Sequence, residues 1–321
     1  MPKLPGNSLL LGRNGQTLTS LAAINRLEAV EKEAIYARLL PDRLFKLLQL
    51  DRQSFRTPLG ERLVQIIAPE GLGFVRIEVN QPSETLQRLI SAGEAGGEEE
   101  ATQAYIPIRQ EATDEANEPI ASKAISDLVF FAELADTQFH QMELAFCIIC
   151  DPAAPRFAVD VTEAGAVNYF SSQGRNRQEE LRAMQAGLFP HQTRRGLRMF
   201  GDFFALAERF TDSLGMEMIV AEPLSYDNAI RYERYGFDYL TGKRLMLEID
   251  RQFQPGGRLY QRLDGSSPFR MPRMEQTVRG RSWAIHDGIL DEPWDEIRIY
   301  KMIGVDAGLN TIPGRRIEEQ H

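Results

Sequence analysis

One stretch constrains this chain more than any other. It covers residues 193–237 and reads TRRGLRMFGDFFALAERFTDSLGMEMIVAEPLSYDNAIRYERYGF. Leu197, Phe200, Phe204, Ala207, Phe210 and Leu214 recur three or four apart, which makes one continuous apolar face of a helix. Gly215 suits the left-handed residue that closes such a helix. The run MEMIVA, residues 216–221, then reads as a buried strand. A helix that feeds a strand in this way fits a crossover onto a sheet already formed upstream. Ser225 or Asp227 can cap a second, shorter helix, and Gly236 ends it.

The upstream sheet is legible too. Residues 127–136 (DLVFFAELAD) and 141–151 (QMELAFCIICD) are apolar runs at hairpin spacing, and 156–162 (RFAVDVT) reads as a third strand after a proline-rich turn. Residues 164–177 read as a loop and 178–186 as a short helix. Downstream, 237–240 and 243–249 flank Thr241-Gly242 like the arms of another hairpin. Residues 281–286 and 296–302 read as strands, and the tail from Gly304 is expected to fray.

Ahead of all this, residues 17–40 carry apolar positions at helical spacing, with Thr17 or Thr19 as cap and Pro41 as breaker. A short helix over 41–50 and strands over 63–67 and 74–79 follow. Residues 82–126 change character: SAGEAGGEEE and QEATDEANEP form an acidic linker or long excursion. Four segments result. They are a helical and β region (1–81), the linker (82–126), a core (127–250) and a C-terminal extension (251–321). The expected class is mixed α/β, with a mostly antiparallel central sheet flanked by helices.

Charge and composition narrow the partners. A net charge of -9 and a pI near 5.2 lack the basic footprint of a nucleic-acid binder. No apolar run reaches the roughly 18–20 residues that span a bilayer. The leading residues hold one Lys and a short leucine run, unlike a secretory signal, so a cytoplasmic location is expected. Cys147 and Cys150 sit inside an apolar run and are expected to be buried, reduced thiols. Four histidines without an HExxH pattern give no zinc signature.

Chemistry concentrates at the start of the long helix. Arg194, Arg195 and Arg198 surround Gly196 there. Free N–H groups at a helix N-terminus favour anions, and arginine offers forked donors to phosphate oxygens. Cations at that end oppose the helix dipole, so an anionic ligand would account for them. Pairing with Glu179, Glu180 or Asp202 would account for them as well.

Taken with DNAIRYERYGF, the loop resembles the GNAT superfamily of acyl-CoA-dependent N-acyltransferases. Members begin their central helix with Gln/Arg-x-x-Gly-x-Gly/Ala and later run through Asn, Ala and Tyr to a closing Gly-Phe. Here the first motif stands as Thr193-Arg194-Arg195-Gly196-Leu197-Arg198, and the second as Asn228, Ala229, Tyr232, Gly236 and Phe237. Thr193 stands where the family has Gln or Arg, and Arg198 where it has a small residue. The resemblance covers residues 127–250.

It implies acetyl-CoA or another acyl-CoA as co-substrate, with Arg194, Arg195, Gly196, Leu197, Arg198, Met199 and Asn228 at the cofactor. It implies a small-molecule or peptide amine as acceptor, direct attack on the thioester, and Tyr232 as the acid that protonates the leaving thiolate. Glu222 and His191 are the candidate bases, with Asp160 as a third. Asp287 beside His286 reads as turn chemistry. Two other readings stay open: a GNAT-fold binding protein without catalysis, and an acyltransferase that takes its acyl group from acyl carrier protein. A homo-oligomer is compatible with either.

Overall fold

The computed structural model describes residues 9–82, 128–168, 174–292 and 294–313. The expected linker, 82–126, falls almost wholly outside them. The fold is mixed α/β, a GNAT-like open sheet flanked by helices. Its seven strands are β1 (Val64–Ile67), β2 (Phe74–Asn80), β3 (Leu128–Asp136), β4 (Met142–Ile149), β5 (Met218–Ala221), β6 (Asp238–Thr241) and β7 (Arg298–Met302). They lie in the order β1-β2-β3-β4-β5-β7-β6. Every neighbouring pair is antiparallel except β4 and β5. The first two strands precede the acidic stretch and β7 follows residue 250, so one sheet draws on three of the four sequence segments.

The N-terminal region is helical but not one helix. It holds α1 (Leu21–Ile24), α2 (Ala29–Tyr36), a 3-10 turn (Ala37–Leu39) and α3 (Asp42–Leu47). Asn25 breaks the expected run. Its side-chain amide donates to the carbonyls of Leu72 and Phe74, and its side-chain oxygen accepts from the Tyr36 hydroxyl. Ser20, not Thr17 or Thr19, caps α1, and the Asp136 carboxylate accepts the next two N–H groups, those of Leu21 and Ala22.

Six more helices follow: α4 (Arg177–Gln185), α5 (Phe200–Ser213), α6 (Tyr226–Arg234), α7 (Lys243–Gln252), α8 (Arg258–Gln261) and α9 (Val278–His286). Helix α5 buries Phe200, Phe203, Phe204, Ala207, Phe210 and Thr211. Full burial contributes about 1.5–3 kcal/mol per phenylalanine, so this face anchors the helix to the sheet. Phe203 meets Phe130 of β3 edge-on at 5.4 Å. Gly215, at φ 72°, closes the segment as expected.

Four expectations are corrected. Residues 156–162 are not a strand, and only Val161 bridges, to Val167. The backbone donors of this stretch go elsewhere, Phe157 N–H to the Thr193 carbonyl and Ala158 N–H to the Glu179 carboxylate. Residues 243–249 are helical, because Met246, Ile249 and Phe253 bury one face at three- and four-residue spacing. The partner of β6 is therefore the distant β7. Residues 281–286 lie in α9, whose first turn is capped by Thr277 accepting from Gly280 N–H at 3.0 Å. Residues 305–313, the described part of the tail, dock: Thr311 is buried and donates through both its N–H and its hydroxyl to Glu233.

The main core fills the space between the sheet and its helices. A second cluster, Phe157, Val159, Ala183, Leu188, Phe269 and Trp283, joins α4 to α9. No helix among the described residues is long and apolar enough to cross a membrane.

Candidate active site

Strands β4 and β5 pair only at Met142↔Ile219 and Glu143↔Val220. Beyond that point β4 continues to Ile149 with β3 alone, while β5 follows β7. Ala145 is an extra residue on β4, since Leu144 faces Leu134 and Phe146 faces Glu133. Such a bulge bends the strand that carries it. The carboxyl-terminal halves of two parallel neighbours thus come apart, and crevices outside strand carboxyl ends are where open α/β sheets bind ligands.

Residues 193–195 bind the chain that leaves β4. Past the end of β4, Asp151 N–H donates to the Arg195 carbonyl and Phe157 N–H to the Thr193 carbonyl, both at 2.8 Å. Arg194 binds the carbonyls of Pro152 and Ala154, so its guanidinium serves the loop rather than standing free. The half-buried Arg195 has no hydrogen bond from its guanidinium among the described residues. The helix begins at Phe200, three residues later than the apolar spacing of Leu197 suggests. Gly196, Leu197 and Arg198 belong to the approach, and Met199 sits at the cap without a side-chain cap bond. The N–H groups of Met199, Phe200 and Gly201 have no acceptor among the described residues.

Arg198 holds a left-handed backbone at φ 56°. A residue with a Cβ pays about 1–2 kcal/mol for that conformation. Its carbonyl accepts from Arg43 of α3 at 3.2 Å, and Arg43 also pairs with Asp202 at 3.4 Å. Arg43 lies 155 residues upstream. No sequence spacing could have linked it to the loop, and it is the functional-region residue that sequence reasoning missed.

Tyr232, on the inner face of α6, is 1% exposed. Its ring meets Phe200 at 5.6 Å and Phe237 at 4.8 Å, both edge-on. Its hydroxyl has no hydrogen-bond partner among the described residues. Burial first, then the nearby Cys147 and Tyr235, push its pKa well above the usual phenol value. Tyr232 therefore stays protonated at any working pH. Cys147 of β4 is also buried, and burial raises its thiol. Cys150 is pushed up to about 12 by burial, with the Thr193 hydroxyl and Arg194 opposing. Both cysteines are buried, neutral thiols outside any disulfide, as expected.

The remaining candidates lie apart from Tyr232. Glu222 directly follows β5 and pairs with Arg298 at 2.7 Å, both about half exposed. Asn228 is buried in the first turn of α6. Asp160 is held by Arg156 through both its oxygens. His191, at φ 67°, sets its ring edge-on to His286 at 4.6 Å. Burial first, then the nearby His286 and Arg175, push the His191 pKa well below its usual range. Asp287 is bound by Arg175, Arg177 and Arg270.

The structure thus buries Tyr232 near Cys147 and against Phe200 in the core, sets the 193–199 segment past the end of β4, and packs His191 against His286. Fold and site together define an open mixed α/β protein whose two parallel strands pair over a two-residue seam. Compared with known proteins, the chain matches no family model, no curated protein and no solved structure.

Proposed function

We propose that the chain is an N-acyltransferase that moves an acyl group, with acetyl as the first candidate, from acyl-CoA to an amine. One observation carries the reading: β4 and β5 separate after two residue pairs, with the unpartnered Tyr232 hydroxyl beside β4. The pantetheine arm would lie in the opening, where β4 offers an unpaired edge. The pyrophosphate would meet the free N–H groups at the start of α5, with Arg195 as the available guanidinium.

In the transfer, the neutral amine nitrogen attacks the thioester carbonyl carbon. The C–N bond forms and the C–S bond breaks. The departing thiolate takes the Tyr232 proton, and the amine loses its extra proton to Glu222 at the end of β5. A neutral phenol suits this step because it donates to charge that develops only as the bond breaks. Glu222 then passes its proton to solvent, and Tyr232 regains one when product release opens its enclosed hydroxyl to water.

Calorimetric titration with acetyl-CoA tests the reading. Arg195→Ala is expected to weaken binding, and Tyr232→Phe to keep binding while lowering turnover on a panel of amines. A protein that binds no CoA would sink it. Binding by both variants without turnover would point instead to a binding protein of this fold. Transfer from acyl carrier protein alone would change the donor.

A further inference from the structure

We propose that His191 and His286 form a proton-operated latch. It holds residues 188–199 against α4 and α9 while His191 is neutral and releases them when His191 takes a proton. The inference concerns the loop itself and stands whatever the loop binds.

The geometry is that of a held segment. His191 keeps a left-handed backbone at φ 67°, a region uncommon for residues with a Cβ and one that histidine adopts more readily than most. Its ring packs edge-on against His286 in the last turn of α9. Trp283 of the same helix donates to the Leu188 carbonyl at 2.9 Å, and Arg279 to the Gly187 carbonyl at 3.1 Å. The far end is hooked to residues 151–157 through Thr193, Arg194 and Arg195. The latch therefore sits on the stretch of chain that binds the residues leaving β4.

The charges around it leave no room for a second proton. Glu180 of α4 already accepts from His286 Nε2 at 2.9 Å and from Arg175. Asp287, just after α9, is bound by Arg175, Arg177 of α4 and Arg270. Three guanidiniums face two carboxylates, a net +1 before either imidazole is charged. From α6, Arg231 lies over the Phe189 ring at 4.2 Å and adds another cation to the loop's surroundings. A proton on His191 meets His286 and Arg175 across a partly dehydrated contact.

The sign follows from linkage. In the closed loop the His191 pKa lies well below its ordinary value of 6.5, so the closed form is fully favoured above pH 6.5. As pH falls below that value the open loop gains a proton that the closed loop refuses. The open-to-closed ratio then climbs towards tenfold per pH unit, until the closed-form pKa is reached.

Hydrogen exchange by mass spectrometry reads this directly, with rates corrected for intrinsic chemistry. Between pH 7.5 and 5.5 the opening constant of peptides spanning 188–199 should rise about tenfold. Peptides from the α5 core, around Phe203 and Phe210, should keep their protection, which separates local release from global unfolding. His191→Asn cannot take the proton, yet it tolerates the left-handed backbone, and it should abolish the rise. His286→Gln removes the imidazole that faces His191 and should shrink the rise, which gives a second reading should His191→Asn fold poorly. A flat wild-type profile, or a rise that survives in both variants, would overturn the latch.

Discussion

Replacing Tyr232 by phenylalanine should make this protein more stable. The hydroxyl is enclosed in the core with no partner among the described residues. A buried polar group left unpaired costs about 1–3 kcal/mol, and phenylalanine removes that cost. The ring contacts with Phe200 and Phe237 need nothing from the oxygen and persist. The void left by one oxygen, on the order of 10 Å³, takes back only about 0.2 kcal/mol. A net gain of about 1–2 kcal/mol follows. It should appear as a higher urea midpoint with unchanged slope, and as a rise in Tm of a few degrees. A loss of 1 kcal/mol or more would show that the hydroxyl has a partner in the folded protein, and would remove the physical ground for treating Tyr232 as a waiting donor. A gain accompanied by lost turnover would be the signature of a group kept at the expense of stability.

Arg198→Gly should change stability by less than about 1 kcal/mol, since relief of the left-handed strain is offset by the extra freedom of glycine in the unfolded chain. Arg198→Val should cost about 1–2 kcal/mol or more in the same urea experiment, because a β-branched residue disfavours that backbone region. Asp136→Ala should cost about 1–2 kcal/mol through the lost cap on α1, and Asp136→Asn less, as one acceptor oxygen remains. Thr311→Val should cost about 1–3 kcal/mol by leaving an oxygen of the buried Glu233 short of a donor, read by thermal melts.

Most of the α/β class was legible, and the reason is local. The apolar period of α5 and the two long runs that became β3 and β4 depend on neighbours three or four residues away, or across one turn. The errors share a different cause. Residues 243–249 look like a hairpin arm because Gly242 precedes them, but their apolar positions fit a helix face as well, and β7 supplies the strand. Residues 156–162 have a strand's composition, yet Thr193 and Glu179 take their donors. The apolar Leu197 belongs by spacing to the α5 face, but the left-handed Arg198 delays the helix to Phe200. At the site, Tyr232 and the arginine loop came from motif spacing. Arg43 and Cys147 came from tertiary placement alone.

The opening itself has a cause that no motif near it could reveal. Strand β5 pairs with β7 over four residues, Met218↔Met302 to Ala221↔Ile299, and with β4 over only two. Strand β4 pairs with β3 over seven. The sheet therefore consists of two antiparallel blocks, β1 to β4 and β5-β7-β6, joined by a two-pair seam. Each block twists to suit its own longer ladder, and the bulge at Ala145 turns β4 further from β5. Separation beyond the seam is then the cheaper arrangement, since continued pairing would have to disrupt one ladder or the other. The strand that pulls β5 away is β7, some eighty residues later in the chain. On the acyltransferase reading proposed above, the arginine loop and Tyr232 would flank the ligand, and residues 298–302 set where β4 and β5 part.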